Sequence, residues 1–214
     1  MKRKLQLSVL LSVLFTLSTL AQSIEITPFY GYALNGKLKT YSGDFNVADN
    51  PNYGAILSIG IYEGGFVELM YNRNDTEFSY NKAGITQANI DMSTEYYQIG
   101  TLKQLDTGGK VYPFGAFSLG ATRFHPKDSY DWNGDNTITT LDDGWAFSAT
   151  LGAGLKIMLS DKIGIRLQGR LLLPMRFEGL FIGIGTGGTS GGASFSVPLI
   201  AGDFTGGLVI RLGK

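Results

Sequence analysis

Trp145-Ala-Phe-Ser-Ala-Thr-Leu-Gly-Ala-Gly-Leu-Lys-Ile-Met-Leu159 is the stretch on which the fold turns. Trp145, Phe147, Ala149, Leu151, Ala153, Leu155, Ile157 and Leu159 are all apolar. Between them, Ala146, Ser148, Thr150, Gly152, Gly154 and Lys156 are small or polar. A period of two marks a strand with two different faces. Downstream, Ile163, Ile165, Leu167, Leu171 and Leu173 oppose Arg166, Gln168 and Arg170, and Phe204, Leu208, Ile210 and Leu212 oppose Asp203, Thr205, Gly207 and Arg211.

The same alternation predicts eight strands, at 24–34, 53–62, 66–80, 90–105, 111–124, 144–159, 163–175 and 201–212. Glu63-Gly64-Gly65, residues 106–110 and Ser160-Asp161-Lys162 are short hairpin connections, two of them with glycine available for positive φ. They alternate with long connections at about 35–52, 81–89, 125–143 and 176–200. Short turns at one end, long loops at the other and an even strand count describe an up-and-down antiparallel barrel.

Period alone leaves open a water-soluble, lipocalin-like barrel. Residue size decides between the two. A soluble barrel would carry solvated Lys, Glu and Thr outside, whereas here the less apolar face is mostly Gly, Ser and Ala. Small residues plus a few large polar ones suit the interior of an eight-stranded barrel, which is only wide enough for side chains. The bulky aliphatics then face lipid, and closure leaves no unpaired strand edge in hydrocarbon. Tyr30, Tyr32, Tyr53, Tyr62, Tyr71, Tyr97, Tyr112 and Trp145 lie near strand ends, where interfacial girdles form. The reading is an all-β, eight-stranded transmembrane β-barrel with short periplasmic turns and long extracellular loops.

Composition agrees. The 214 residues suit one domain, and charged residues are 17% against about 25% in soluble domains. Eighteen basic against eighteen acidic residues argue against nucleic acid. The absence of cysteine removes disulfides, thiol nucleophiles and thiolate zinc sites, and a lone His125 removes any multi-histidine metal cluster. Lys2, Arg3 and Lys4 precede an apolar run from Leu5 to Leu20, and Thr19-Leu20-Ala21 ends in small residues. That is the layout of a secretory signal peptide cleaved after Ala21, leaving 22–214 as the barrel domain. Its removal takes three of the eighteen basic residues and leaves a mildly acidic product.

The signal, the eight strands and the closing Gly207-Leu-Val-Ile-Arg-Leu212 resemble the small outer-membrane β-barrel superfamily of Gram-negative bacteria, the OmpA/OmpX type. The resemblance implies the outer membrane as location, membrane lipid as surroundings and a monomer. Such barrels often end on an aromatic residue, whereas this chain ends Leu212-Gly213-Lys214.

Glu68, Gln98, Lys156, Arg166, Arg170 and Arg211 fall on the inner face. Buried charges must pair. They are expected to form a structural plug of ion pairs, the alternative being a narrow pore for ions or small solutes. In the connection after the fifth strand, Asp131, Asn133 and Asp135 take positions 1, 3 and 5 of a twelve-residue calcium loop. Thr137 offers its carbonyl at position 7, Thr139 acts through water at 9 and Asp142 closes at 12. The run resembles dockerin-type calcium loops, with Asn136 in place of glycine at position 6 and Asp in place of Glu at 12. Residues 176–200 place two apolar arms around a glycine-rich tip, expected as a β-hairpin extending past the membrane, or else an adhesive arm or lid. His125, with Asp128 and Ser129, is the one arrangement resembling lipid-modifying catalysis, and nothing in the sequence fixes its geometry. The expected function is non-enzymatic: a structural or surface-interaction role carried by the long loops.

Overall fold

The computed structural model describes residues 23–35, 37–40, 43–82, 85–127, 129–130, 139–140, 143–185, 188–196 and 200–212. These form strands β1 (Ile24–Asn35), β2 (Lys37–Thr40), β3 (Gly43–Val47), β4 (Asn50–Tyr62), β5 (Gly65–Lys82), β6 (Ile85–Gln104), β7 (Val111–Pro126), β8 (Ser129–Tyr130), β9 (Thr139–Thr140), β10 (Gly144–Met158), β11 (Ile163–Gly185), β12 (Gly188–Ser196) and β13 (Ala201–Leu212). Strands β1, β4, β5, β6, β7, β10, β11 and β13 pair antiparallel with their neighbours in chain order. The ring closes where β1 meets β13, from Ile24 opposite Leu212 to Asn35 opposite Ala201. The eight barrel strands are those that the alternation predicts, with bounds differing mainly at the long-loop end.

At the other end the turns are tight. Gly64 adopts φ 68° between β4 and β5, and Gly108 φ 70° between β6 and β7. The long-loop end is more regular than the sequence suggests. The β2/β3 hairpin lies on β5, from Val47 opposite Phe78 to Asp44 opposite Asn81. Strands β5 and β6 stay paired up to Lys82 opposite Ile85, so 81–89 is largely strand and not a loop. β11 leaves β13 after Leu172 opposite Ala201 and continues with β12, from Arg176 opposite Ser196 to Gly185 opposite Gly188. The extending hairpin expected over 176–200 is therefore present, but its second arm is β12 and not a prolongation of β13.

The wall has the polarity of a protein dissolved in lipid. Outward side chains such as Leu69, Ile99, Phe117, Leu151, Leu167 and Leu208 are exposed. Inward Glu25, Asn52, Glu68, Lys156, Arg166 and Asp203 are buried. Barrel strands of 12 residues or more exceed the ~9–11 needed to cross a bilayer at a tilt.

Inside, phenylalanine and glycine alternate in register. Phe29 lies opposite Gly54, Phe66 opposite Gly60 and Phe114 opposite Gly154. An aromatic side chain covering a cross-strand glycine restores packing that the glycine cannot supply. A Cβ at Gly154 would stand 2.1 Å from the Leu167 carbonyl oxygen and 2.8 Å from Phe114 Cζ. Gly154→Val is expected to prevent closure. The check is gel mobility before and after boiling, where the wild type is expected to run as a compact form when unboiled and the variant is expected to lose it.

Candidate functional site: ion pairs in the lumen and a charged outer rim

Three cationic side chains cross the lumen, each stacked on one of those phenylalanines. Nearest the short turns, Lys156 Nζ donates to Glu25 Oε2 at 2.6 Å and lies 4.3 Å from the Phe66 ring centre. Arg211 donates to the other oxygen of Glu25 at 2.9 Å. One level up, Arg166 forms a two-pronged pair with Glu68 at 2.6 and 3.1 Å. It also donates to Gln168 and stacks 4.5 Å from the Phe114 ring centre, while Ser58 Oγ donates to Glu68 at 2.7 Å.

Above it, Arg170 donates to both oxygens of Asp203, its Nε at 2.9 Å, and stacks 4.7 Å from the Phe29 ring centre. Asn52 Nδ2 donates to Asp203 at 2.6 Å. On the wall, Gln98 donates to Ser148 at 2.9 Å and accepts from Ser118 at 3.1 Å. Tyr96, Leu172 and Ala201 form an apolar cluster beyond these tiers. A cavity of about 20 Å³ lined by Glu68, Ser118, Thr150, Arg166, Gln168 and Arg170 has room for about one water. Charge and aromatic face are matched level by level, while Asn52 Oδ1 and the hydroxyls of Thr27, Thr122, Thr150 and Thr205 are buried without a hydrogen-bond partner.

The expected inner-face residues Glu68, Gln98, Lys156, Arg166 and Arg170 are all buried, and Arg211 closes the lower mouth half-buried. Glu25 did not figure among them. Its signal was its place between Ile24 and Ile26, which puts it on the inner parity of β1.

A second constellation lies outside the wall, at the long-loop end. Tyr53, Arg73, Glu95, Arg123 and Trp145 stand directly opposite one another across β4, β5, β6, β7 and β10. Arg73 donates to Glu95 at 3.1 Å and to Asp75 at 2.9 Å, and Lys127 donates to Asp75 at 2.8 Å. Arg123 donates to Glu95 at 3.3 Å and to Asp143 at 2.6 Å. The phenols of Tyr71 and Tyr97 donate upward to Glu95 at 3.2 and 3.0 Å. Tyr71, Tyr97 and Trp145 run as a row of tilted rings, 5.2 and 6.2 Å between centres. Tyr71 and Tyr97 lie two residues below Arg73 and Glu95 on their strands, whereas Trp145 is level with Arg123.

The guanidinium of Arg73, with Lys127 beside it, holds the Asp75 carboxyl down to about 2. His125 and Arg123 likewise hold Asp143 below the usual carboxylate range. Both lowered values mean that the belt's pairing is intact above the ordinary carboxylate range and is lost as pH falls through the depressed values.

His125 Nδ1 meets Asp143. Ser93 lies opposite His125 in register, but its hydroxyl oxygen is buried without a partner. The side chains of Asp128 and Ser129 lie outside the described residues. So do residues 1–22 and the expected calcium ligands Asp131, Asn133, Asp135, Thr137 and Asp142. What is described of that loop is its base, where Ser129 pairs with Thr140 and Tyr130 with Thr139.

The outer membrane protein beta-barrel domain family matches residues 7–172. No curated protein matches the sequence. Among solved structures, OprG from Pseudomonas aeruginosa superposes with a TM-score of 0.59 at 12% identity, covering 91% of this chain and 97% of that one. Neisserial surface protein A gives 0.53 at 13% identity, covering 87% and 96%. The outer membrane protein AlkL gives 0.54 at 12% identity, covering 91% and 92%. At such identities the likeness is one of fold.

Removing one half of a buried ion pair leaves the other charge unpaired in the lumen, at a cost of about 3–5 kcal/mol. Arg166→Ala, which strands Glu68, is expected to unfold at clearly lower urea than the wild type in lipid vesicles. Arg166→Met combined with Glu68→Leu is expected to recover most of the loss. Urea titration followed by tryptophan fluorescence measures both.

Proposed function

The chain belongs to the outer membrane protein beta-barrel family, and from that premise we propose that it is a non-conducting, non-enzymatic barrel whose work is done by its extracellular end. The observation that carries this reading is the lumen, where three tiers of paired charge stack on phenylalanine and the cavity between Glu68, Arg166 and Arg170 has room for about one water. Conduction needs a continuous polar path, and an eight-stranded barrel filled by its own side chains has none. The role left is to anchor what projects: the β2/β3 hairpin, the extended β5/β6 pair, the 127–143 connection and the β11/β12 hairpin. These present strand-built surface to a partner outside the cell.

For the 131–142 loop the proposal is calcium. Asp131, Asn133, Asp135, Thr137 and Asp142 supply hard oxygen donors at calcium-loop spacing, and the β8/β9 ladder sets Tyr130, just before the loop, opposite Thr139 at its ninth position. Affinity is expected in the extracellular-module range, on the order of 10⁻⁴–10⁻³ M.

In planar bilayers the purified protein is expected to give no steady conductance steps; reproducible steps would transfer the function to the pore reading. Terbium, which substitutes for calcium, should show luminescence sensitised by Trp132 that calcium competes away. That signal is expected to be lost in Asp131→Ala/Asp135→Ala, and a wild type without it removes the metal site.

A further inference from the structure

Pro28 stands inside the first barrel strand, and it interrupts one of that strand's two ladders. β1 pairs with β4 without a break from Ile24 opposite Ile59 to Ala33 opposite Asn50. β11 pairs with β13 just as evenly, from Ile163 opposite Ile210 to Leu172 opposite Ala201. The seam between β1 and β13 is different. It sets Ile24, Glu25 and Ile26 against Leu212, Arg211 and Ile210, skips Thr27 and Pro28, and resumes with Phe29 opposite Gly207. Proline has no N–H to donate, and within sheets it belongs at edges and bulges. Because the break lies on the β13 side alone, the missing donor faces the seam.

The surroundings of the gap are weak on both faces of the wall. Inside, the Thr27 hydroxyl is buried without a partner. Outside, Pro28, Tyr30, Ile165, Gly206 and Leu208 line an open dip of about 470 Å³, with no side chain at Gly206 to cover it. Side chains then hold the seam separately above and below the gap. Above, Asn52 of β4 reaches past β1 to Asp203 of β13 at 2.6 Å. Below, Arg211 of β13 donates to Glu25 of β1 at 2.9 Å. The second partner of Glu25, Lys156, belongs to β10 and ties β1 across the lumen, not to β13.

We propose that Pro28 divides the closing seam into two parts that open independently, and that the lower part is a flap latched by Arg211 on Glu25. When the latch lets go, Ile24–Ile26 and Ile210–Leu212 separate as a unit. β1 stays on β4 and β13 stays on β11, because those ladders are unbroken. The upper part, from Phe29 opposite Gly207 to Asn35 opposite Ala201, stays shut. The wall thus has a place at its short-turn end where it parts without unfolding, and where Glu25 and Lys156 meet periplasmic water. The device is independent of whether the lumen conducts.

The test is residue-resolved amide hydrogen exchange by NMR on the intact barrel in nanodiscs. Hydrogen-bonded and non-bonded pairs alternate along an antiparallel ladder, so Ile26, Tyr30, Gly206 and Ile210 point their N–H groups into the seam as Pro28 would. Pro28→Val, which returns the donor, is expected to slow Ile26 and Ile210 about fivefold, the scale of one backbone hydrogen bond. Arg211→Gln, which opens the latch and leaves Glu25 paired with Lys156, is expected to speed the same two amides by about the same factor. Tyr30 and Gly206 should not change in Arg211→Gln. Nor should Ile59 and Val67, which face each other near the same end of the β4/β5 ladder and report ordinary fraying of strand ends. The boiling-dependent gel shift establishes that each variant is folded. Equal acceleration of all four seam amides in Arg211→Gln, no acceleration at all, or unchanged exchange in Pro28→Val overturns the proposal.

Discussion

Lys156 is fully buried in a chain whose outside is hydrocarbon, and Glu25 has to stand against it. An unpaired ammonium there has no water to retreat to on either side of the wall. The same constraint repeats for Arg166 with Glu68 and for Arg170 with Asp203. It dictates much of what surrounds these pairs: phenylalanines whose ring faces accept the cations, glycines opposite the rings that leave them room, and Ser58 and Asn52 occupying the remaining lone pairs. The polar interior and apolar exterior are two sides of one requirement, since strands that alternate strictly must send one set each way.

The alternation in residues 145–159 made the barrel legible, because a period of two with bulky residues on one face and small ones on the other has few solutions. Strand starts such as Val111, Gly144, Ile163 and Ala201 fell where turn residues end. The long-loop end was read less well. Polar stretches such as 81–89 look like loops because outward hydrophobicity stops where the membrane stops, yet backbone pairing continues without it.

The inner-face cations were also legible, since a large polar residue on the small-residue parity can only point inward. Which acid meets which base was not. Glu25 lies 131 residues from Lys156 and 186 from Arg211, and only the register of closure brings them together. The rim was missed for a related reason. Arg73, Glu95 and Arg123 sit on the outward parity, and no local pattern reveals that three strands align them at one height.

Glu25 has a further consequence, in the time at which the barrel is made. Its two partners belong to β10 and β13, so the acid introduced with the first strand waits for nearly the whole chain. Hairpins β4/β5, β6/β7 and β10/β11 can form as soon as their turns do, being local. The triad of Glu25, Lys156 and Arg211 forms only when β13 meets β1. Until then the carboxylate must stay in water, and a sheet holding it open cannot sink fully into hydrocarbon. The clasp at the seam therefore works as a completeness check, tying deep insertion to the arrival of the last strand.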